Sequence, residues 1–258
     1  MPRPSLTATP DRVLSCPQPR PGAPVRLVCF PHSGGGPATF RDWHRGAGAG
    51  AGSEVRTVVL PGRAARSDEP FADDWRSVVA ETTDAVRRLT EASDHPADIV
   101  LFGQSLGALL AFETARELER AGIAPRRLVV SARSAPDIPT SLDVPSDDAA
   151  LLELVDRRYG GIPTALRAVP ELLAHQLPPL RADLRLAGSY RFAPGAPLTT
   201  PVIAFAGTED STVPPGELLR WARHTTGAFT PHLVSGGHLC SVEHPALLLR
   251  AALGHRAR

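Results

Sequence analysis

The segment Gly103-Gln104-Ser105-Leu106-Gly107 holds the residue types of an acyl-transfer nucleophile. It follows the apolar run Ile99–Phe102 and opens a helical pattern at Leu106, so the serine falls on a tight strand-to-helix turn. Such a turn lifts the hydroxyl clear of the sheet, and the two glycines leave room where strand and helix backbones cross. The strain on the serine backbone is about 1–3 kcal/mol, tolerated where geometry serves chemistry. An ordinary turn that happens to contain serine is the bland alternative. The strand before and the helix after argue against it.

A serine hydroxyl is a weak nucleophile and needs a base beside it. His238, in Ser235-Gly236-Gly237-His238, sits in a loop just after the last apolar run. His232 falls inside that run, and His244, before Pro245, starts the last helix. His32 lies by the first glycine turn and is expected to line a pocket, as is Gln104. The base needs an acid to hold its tautomer. Asp210 follows the run Pro201–Ala206 through Gly207-Thr208-Glu209; Asp137, after Leu128–Ser131, is the rival, and Glu209 reads as solvated. The order Ser105, Asp210, His238 is that of the α/β-hydrolase fold and favours Asp210. A developing oxyanion needs two donors. The N–H of Leu106 is one by the geometry of the turn, and the N–H of Ser33, in Pro31-His32-Ser33-Gly34-Gly35, is the expected second. A purely conformational role for that glycine run is compatible with both readings.

The elements that must position these groups alternate between strand and helix. Strands are expected at Val25–Phe30, Val55–Leu60, Ile99–Phe102, Leu128–Ser131, Pro201–Ala206 and Phe229–Val234. Helices are expected at Asp74–Ala92, Leu106–Ala121, near Gly216–Thr225 and at Pro245–Gly254, with a short amphipathic segment at Thr39–His44. Runs too apolar to face water predict an α/β fold with a mostly parallel central sheet and helices on both faces. Asp147–Leu186 reads as one helical, proline-punctuated block, and 137–195 as an insertion above the sheet. Residues 1–24 read as a flexible Pro-rich leader to a domain over 25–258, and Gly46–Gly52 as a low-complexity connector.

The composition excludes several classes of function. The 258 residues carry 28 basic against 27 acidic side chains, a net charge of +1, which argues against a basic nucleic-acid surface or a polybasic membrane anchor. All the basic residues are arginine, so neither a Schiff-base lysine nor a lysine-dependent phosphate loop is available. Cys16, Cys29 and Cys240 make neither a disulfide framework nor a zinc knuckle. No long apolar run appears. The expectation is a soluble, cytoplasmic, monomeric protein without metal or cofactor.

Several segments together resemble a family. They are Cys29-Phe30-Pro31-His32-Ser33-Gly34-Gly35, Leu60-Pro61-Gly62-Arg63, the serine turn, Pro179-Leu180-Arg181-Ala182-Asp183 before Tyr190, and Gly236-Gly237-His238. The chain is similar over about residues 25–252 to the type II thioesterases, stand-alone editing enzymes of polyketide and nonribosomal peptide synthesis within the α/β-hydrolase superfamily. The resemblance implies hydrolysis of acyl or aminoacyl thioesters from the phosphopantetheine arm of carrier proteins. It also implies Ser105 as nucleophile, His238 as base, Asp210 as orienting acid, and the insertion at 137–195 as a lid over an acyl chamber. The family usually has His where this chain has Gln104. Arg63 and Arg66 are expected either to pair with Asp68 or Glu69 or, for Arg63, to meet the pantetheine phosphate. The alternatives are a general carboxylesterase or acyltransferase on the same fold, or a non-catalytic ligand-binding relative.

Overall fold

The computed structural model describes residues 11–43, 52–91, 97–162 and 164–254. The Gly/Ala connector, apart from Gly52, lies outside the described residues, as do residues 1–10 of the expected leader. Among the described residues seven strands form one sheet: β1 (Leu14–Ser15), β2 (Val25–Phe30), β3 (Ser53–Val58), β4 (Asp98–Gln104), β5 (Arg127–Ser131), β6 (Val202–Gly207) and β7 (Phe229–Val234). Their order is β1-β3-β2-β4-β5-β6-β7. From β2 to β7 every pairing is parallel, and β1 runs antiparallel to β3 with Leu14 opposite Val58.

The helices are α1 (Trp75–Glu91), α2 (Leu106–Arg120), α3 (Asp148–Tyr159), α4 (Thr164–Arg167), α5 (Pro170–Ser189), α6 (Pro215–Leu219), α7 (Cys240–Glu243) and α8 (Pro245–Leu253). Successive strand residues point to opposite faces, and the core divides accordingly. Val28, Phe30, Leu101 and Val130 pack with Val86 of α1 and Leu110 of α2. Leu27, Cys29, Val100, Phe102 and Val129 pack with Leu248 of α8 and with Phe40 and Trp43. Cover on both faces is why all six positions of β2 are buried, Arg26 among them, whose guanidinium donates to Leu89 O.

Residues 11–24 correct the expectation of a free leader. Leu14 is buried, Val13 and Leu14 N–H both donate to the Asp11 carboxylate, and Val59 N–H donates to Val13 O at 2.8 Å. Two adjacent apolar residues suffice to occupy a sheet edge whose backbone groups are otherwise unpaired.

α3 to α5 fall between β5 and β6 and form a cap with its own core of Leu151, Val155, Leu177 and Leu184. The single block expected over Asp147–Leu186 is divided, because the chain turns at Gly160-Gly161. Asp147 caps α3, its carboxylate accepting from Ala150 N–H at 2.8 Å. Pro178 and Pro179 lie inside α5.

Candidate active site

The serine turn is built from backbone constraints. Ser105 has φ 55° and ψ −115°, a conformation that costs a non-glycine residue free energy. It is held by Ser105 N–H to Ser131 O at 2.9 Å and Ala108 N–H to Ser105 O at 3.0 Å. A Cβ on Gly107 would lie 2.1 Å from Phe30 O, and one on Gly103 would lie 2.2 Å from Gly107 O. Only hydrogen fits at either place, so β2, β4 and α2 can meet beneath the hydroxyl.

Ser105 Oγ lies 2.9 Å from His238 Nε2, and His238 Nδ1 lies 2.8 Å from Asp210 Oδ2. A carboxylate only accepts, so the imidazole carries its proton on Nδ1, and Nε2 is left to accept from the serine. The other Asp210 oxygen accepts from Thr212 Oγ1 at 2.6 Å and Thr212 N–H at 3.0 Å. Burial alone would raise the Asp210 pKa. The hydrogen bond and charge of His238, with the two Thr212 donors, outweigh it and hold the carboxyl below its ordinary value.

The rival acid is occupied elsewhere. Asp137 accepts from Arg220 and His224, the latter at 3.0 Å, and these bonds overcome its burial to keep its pKa low. Glu209 is exposed. His232 stacks on Phe205, and His244 Nε2 donates to Ser235 O at 2.8 Å just before α8.

Ser105 and His238 open onto a cavity of about 120 Å³. Its walls are Val155, Tyr159 and Ile162 from the α3 side, Leu177, Leu180 and Leu184 from α5, and His32, Ser33 and Gly34 from the turn after β2. Burial depresses the His32 pKa against the opposing effect of its bond to Ser33 O, so the ring is neutral at pH 7. Leu106 N–H belongs to the first turn of α2 and has no acceptor within its own helix.

Two expected pocket residues are not in the wall. Gln104 is fully buried behind it: Nε2 donates to His238 O at 3.2 Å, and Oε1 accepts from Ser241 Oγ. Its strand position, directly before the turn, aims the amide at the histidine loop instead of the cavity. Arg63 meets neither an open phosphate site nor Asp68 or Glu69. Its guanidinium grips Asp183 of α5 with two bonds of 2.6 Å and donates to Gly35 O at 3.1 Å. At 10% side-chain exposure it requires a carboxylate, and Asp68 is paired with Arg12. Arg66 pairs with Glu69 and Glu81.

Sequence reasoning did not find Tyr159, whose ring centroid lies 4.7 Å from that of His238. Nor did it find Thr212. An Asp followed two residues later by a hydroxyl is a turn signature that would have flagged the latter.

Fold and side-chain geometry together define an α/β-hydrolase with a serine–histidine–aspartate hydrogen-bond chain. The family model described as a thioesterase domain matches residues 25–252. Thioesterase PikA5 of Streptomyces venezuelae is 40% identical over 222 residues, 85% of this chain and 76% of that protein. The RedJ thioesterase from the prodiginine biosynthetic pathway of Streptomyces coelicolor superposes with a TM-score of 0.80 at 36% identity, covering 90% of this chain and 85% of that one. The type II thioesterase BorB from the borrelidin biosynthetic cluster gives 0.81 at 30% identity, covering 94% and 98%. The chain belongs to the thioesterase family and is an enzyme that hydrolyses thioesters. Among the described residues no helix is long and apolar enough to cross a membrane.

Proposed function

We propose that this thioesterase clears acyl or aminoacyl groups from the phosphopantetheine arm of carrier proteins in polyketide or peptide biosynthesis, through an acyl-serine intermediate. The observation that carries the reading is the Ser105–His238–Asp210 chain opening on a cavity with mainly apolar walls. The biosynthetic pathways named for RedJ and BorB support the substrate class.

Ser105 Oγ attacks the thioester carbon as its proton passes to His238 Nε2. The oxyanion rests on the N–H groups of Leu106 and Ser33. Collapse breaks the C–S bond, and the pantetheine sulfur takes the proton from His238. A thiol of pKa about 8.5 leaves more readily than an alcohol. Water then attacks the acyl-serine and gives its proton to His238. Collapse breaks the bond to Oγ, which recovers that proton as the free acid departs. Asp210 stabilises the imidazolium in both halves. Water is the single co-reactant, so the sequence balances without a cofactor.

Free Cys16, Cys29 and Cys240 suit a reducing cytoplasm. Pro231 in the edge strand β7 removes a donor that a second copy would pair with, which supports a monomer.

The test is Ser105→Ala assayed on an acyl-carrier thioester and on its matching oxyester. Loss of turnover by about 10⁴-fold or more is expected, with the wild type favouring the thioester. Wild-type turnover in the variant would overturn the reading. A preference for the oxyester would point instead to a carboxylesterase.

A further inference from the structure

The turn that carries Ser33 is fastened to the cap. Gly34 N–H donates to Asp183 Oδ2 at 2.7 Å, across 149 residues of sequence. The same carboxylate takes both prongs of Arg63, and Arg63 also donates to Gly35 O. Asp183 is 2% exposed. Gly34 adopts φ 76°, and a Cβ there would lie 3.2 Å from Leu180 Cβ on the same helix. Thus α5 touches the turn twice, once by a charge-assisted bond and once by close packing.

The Gly34 N–H bond fixes the plane of the peptide joining Ser33 to Gly34, and only the two backbone torsions of Ser33 then separate that plane from the one that carries the Ser33 N–H. An N–H is useful to a tetrahedral oxyanion only within about 3 Å and well aligned. The turn has no regular secondary structure of its own to hold that angle. We propose that Arg63 and Asp183 are positioning residues that orient the Ser33 donor through Gly34, so that oxyanion stabilisation depends on α5 being docked. This rests on the function proposed above. Neither side chain touches the reacting atoms. The cap thereby acts on the rate of the chemical step as well as on the fit of the acyl chain.

The experiment uses the full chain with Asp183→Asn, which keeps the size of the side chain but not its charge. Two ligands separate the states: a non-hydrolysable acyl-pantetheine thioether, which mimics bound substrate, and an acyl trifluoromethyl ketone, which adds to Ser105 and forms an oxyanion. The expected result is a fall in kcat approaching the ~10²-fold typical of a lost oxyanion donor, with KM within about threefold. The ketone should weaken in parallel with kcat while the thioether binds as in the wild type. A general loosening of the fold would weaken both, and that result would overturn the positioning role.

Should the single variant fail to fold, Arg63→Met with Asp183→Leu removes both buried charges together and leaves neither unpaired. It should show the same split. In the wild type, Gly34 N–H exchange should be slow and match the α5 amides around Asp183. Wild-type kcat and ketone affinity in either folded variant, or fast exchange at Gly34, would overturn the inference. If Ser105→Ala stays active, the proposed function fails first. If it is inactive while Asp183→Asn is not impaired, only the positioning role fails.

Discussion

The two sides of the cavity are held by different means. Below it, Ser105, Asp210 and His238 stand just beyond the carboxyl ends of β4, β6 and β7, on a sheet buried over most of both faces. Backbone packs directly on backbone there, as at Gly103 and Gly107. Above it, α3 to α5 share a small core, and they are moored to the rest by Leu186 and Ala187 of α5, which join the main core, and by polar links, Arg63 to Asp183 and Trp75 Nε1 to Leu186 O at 2.6 Å. Reactivity therefore depends on backbone geometry that tolerates no added atom. The chamber wall is made of apolar side chains that can be exchanged for one another. The lower side holds the reacting groups; the upper side walls the chamber and, through Asp183, reaches back to the turn that carries Ser33.

The sharpest break in that contrast is Asp210→Asn. It keeps the shape of the lower side but presents a donor where His238 needs an acceptor, and kcat should fall by about 10⁴-fold. KM, set by the upper side, should stay within a few-fold; steady-state kinetics on one acyl-carrier substrate reads both. The same variant has a pH signature. A carboxyl whose folded pKa is depressed adds stability above its unfolded value of about 3.9 and loses it as the pH falls through the folded value. The gap in Tm between wild type and variant should narrow below about pH 4, and a gap independent of pH would contradict the assignment.

A smaller effect compares two equally buried leucines. Leu101→Ala in β4 should cost about 2–5 kcal/mol of global stability, read by denaturant unfolding. Leu151→Ala in the cap should mainly speed amide exchange in α3 and α5 and leave the sheet protected. Uniform loosening in both variants would mean that cap and sheet unfold as one unit. Smallest is Gln104→Leu, which removes the donor to His238 O. A loss of about 1 kcal/mol of positioning corresponds to roughly fivefold in kcat, and Gln104→Asn should not restore it because the amide no longer reaches.

Much of the lower side was legible in the sequence. Local signals carry it: apolar runs for the strands, glycine-bracketed Ser105, Asp210 soon after β6, and His238 in a glycine loop after β7. The upper side was legible as a helical insertion above the sheet, and as a lid through the family resemblance, but not in its contacts. Arg63 finds its carboxylate 120 residues away, and nothing near it in sequence names that partner. Gln104 was misplaced for a similar reason, since a strand's last residue faces pocket or core according to a twist that spacing does not report. Leu14 was missed because two apolar residues among prolines give no periodicity.

Pro178 and Pro179 have no amide hydrogen, so the carbonyls of Ala174 and His175 lack their usual helical donors. The cap's longest helix is for that reason least stiff at this joint. The part before the joint bears exposed Leu172, and the part after it carries the salt-bridged Asp183 and runs on to Ser189. With two donors missing there, bending at the joint meets less resistance than an unbroken helix would give, on a helix whose Leu177, Leu180 and Leu184 form one wall of the chamber.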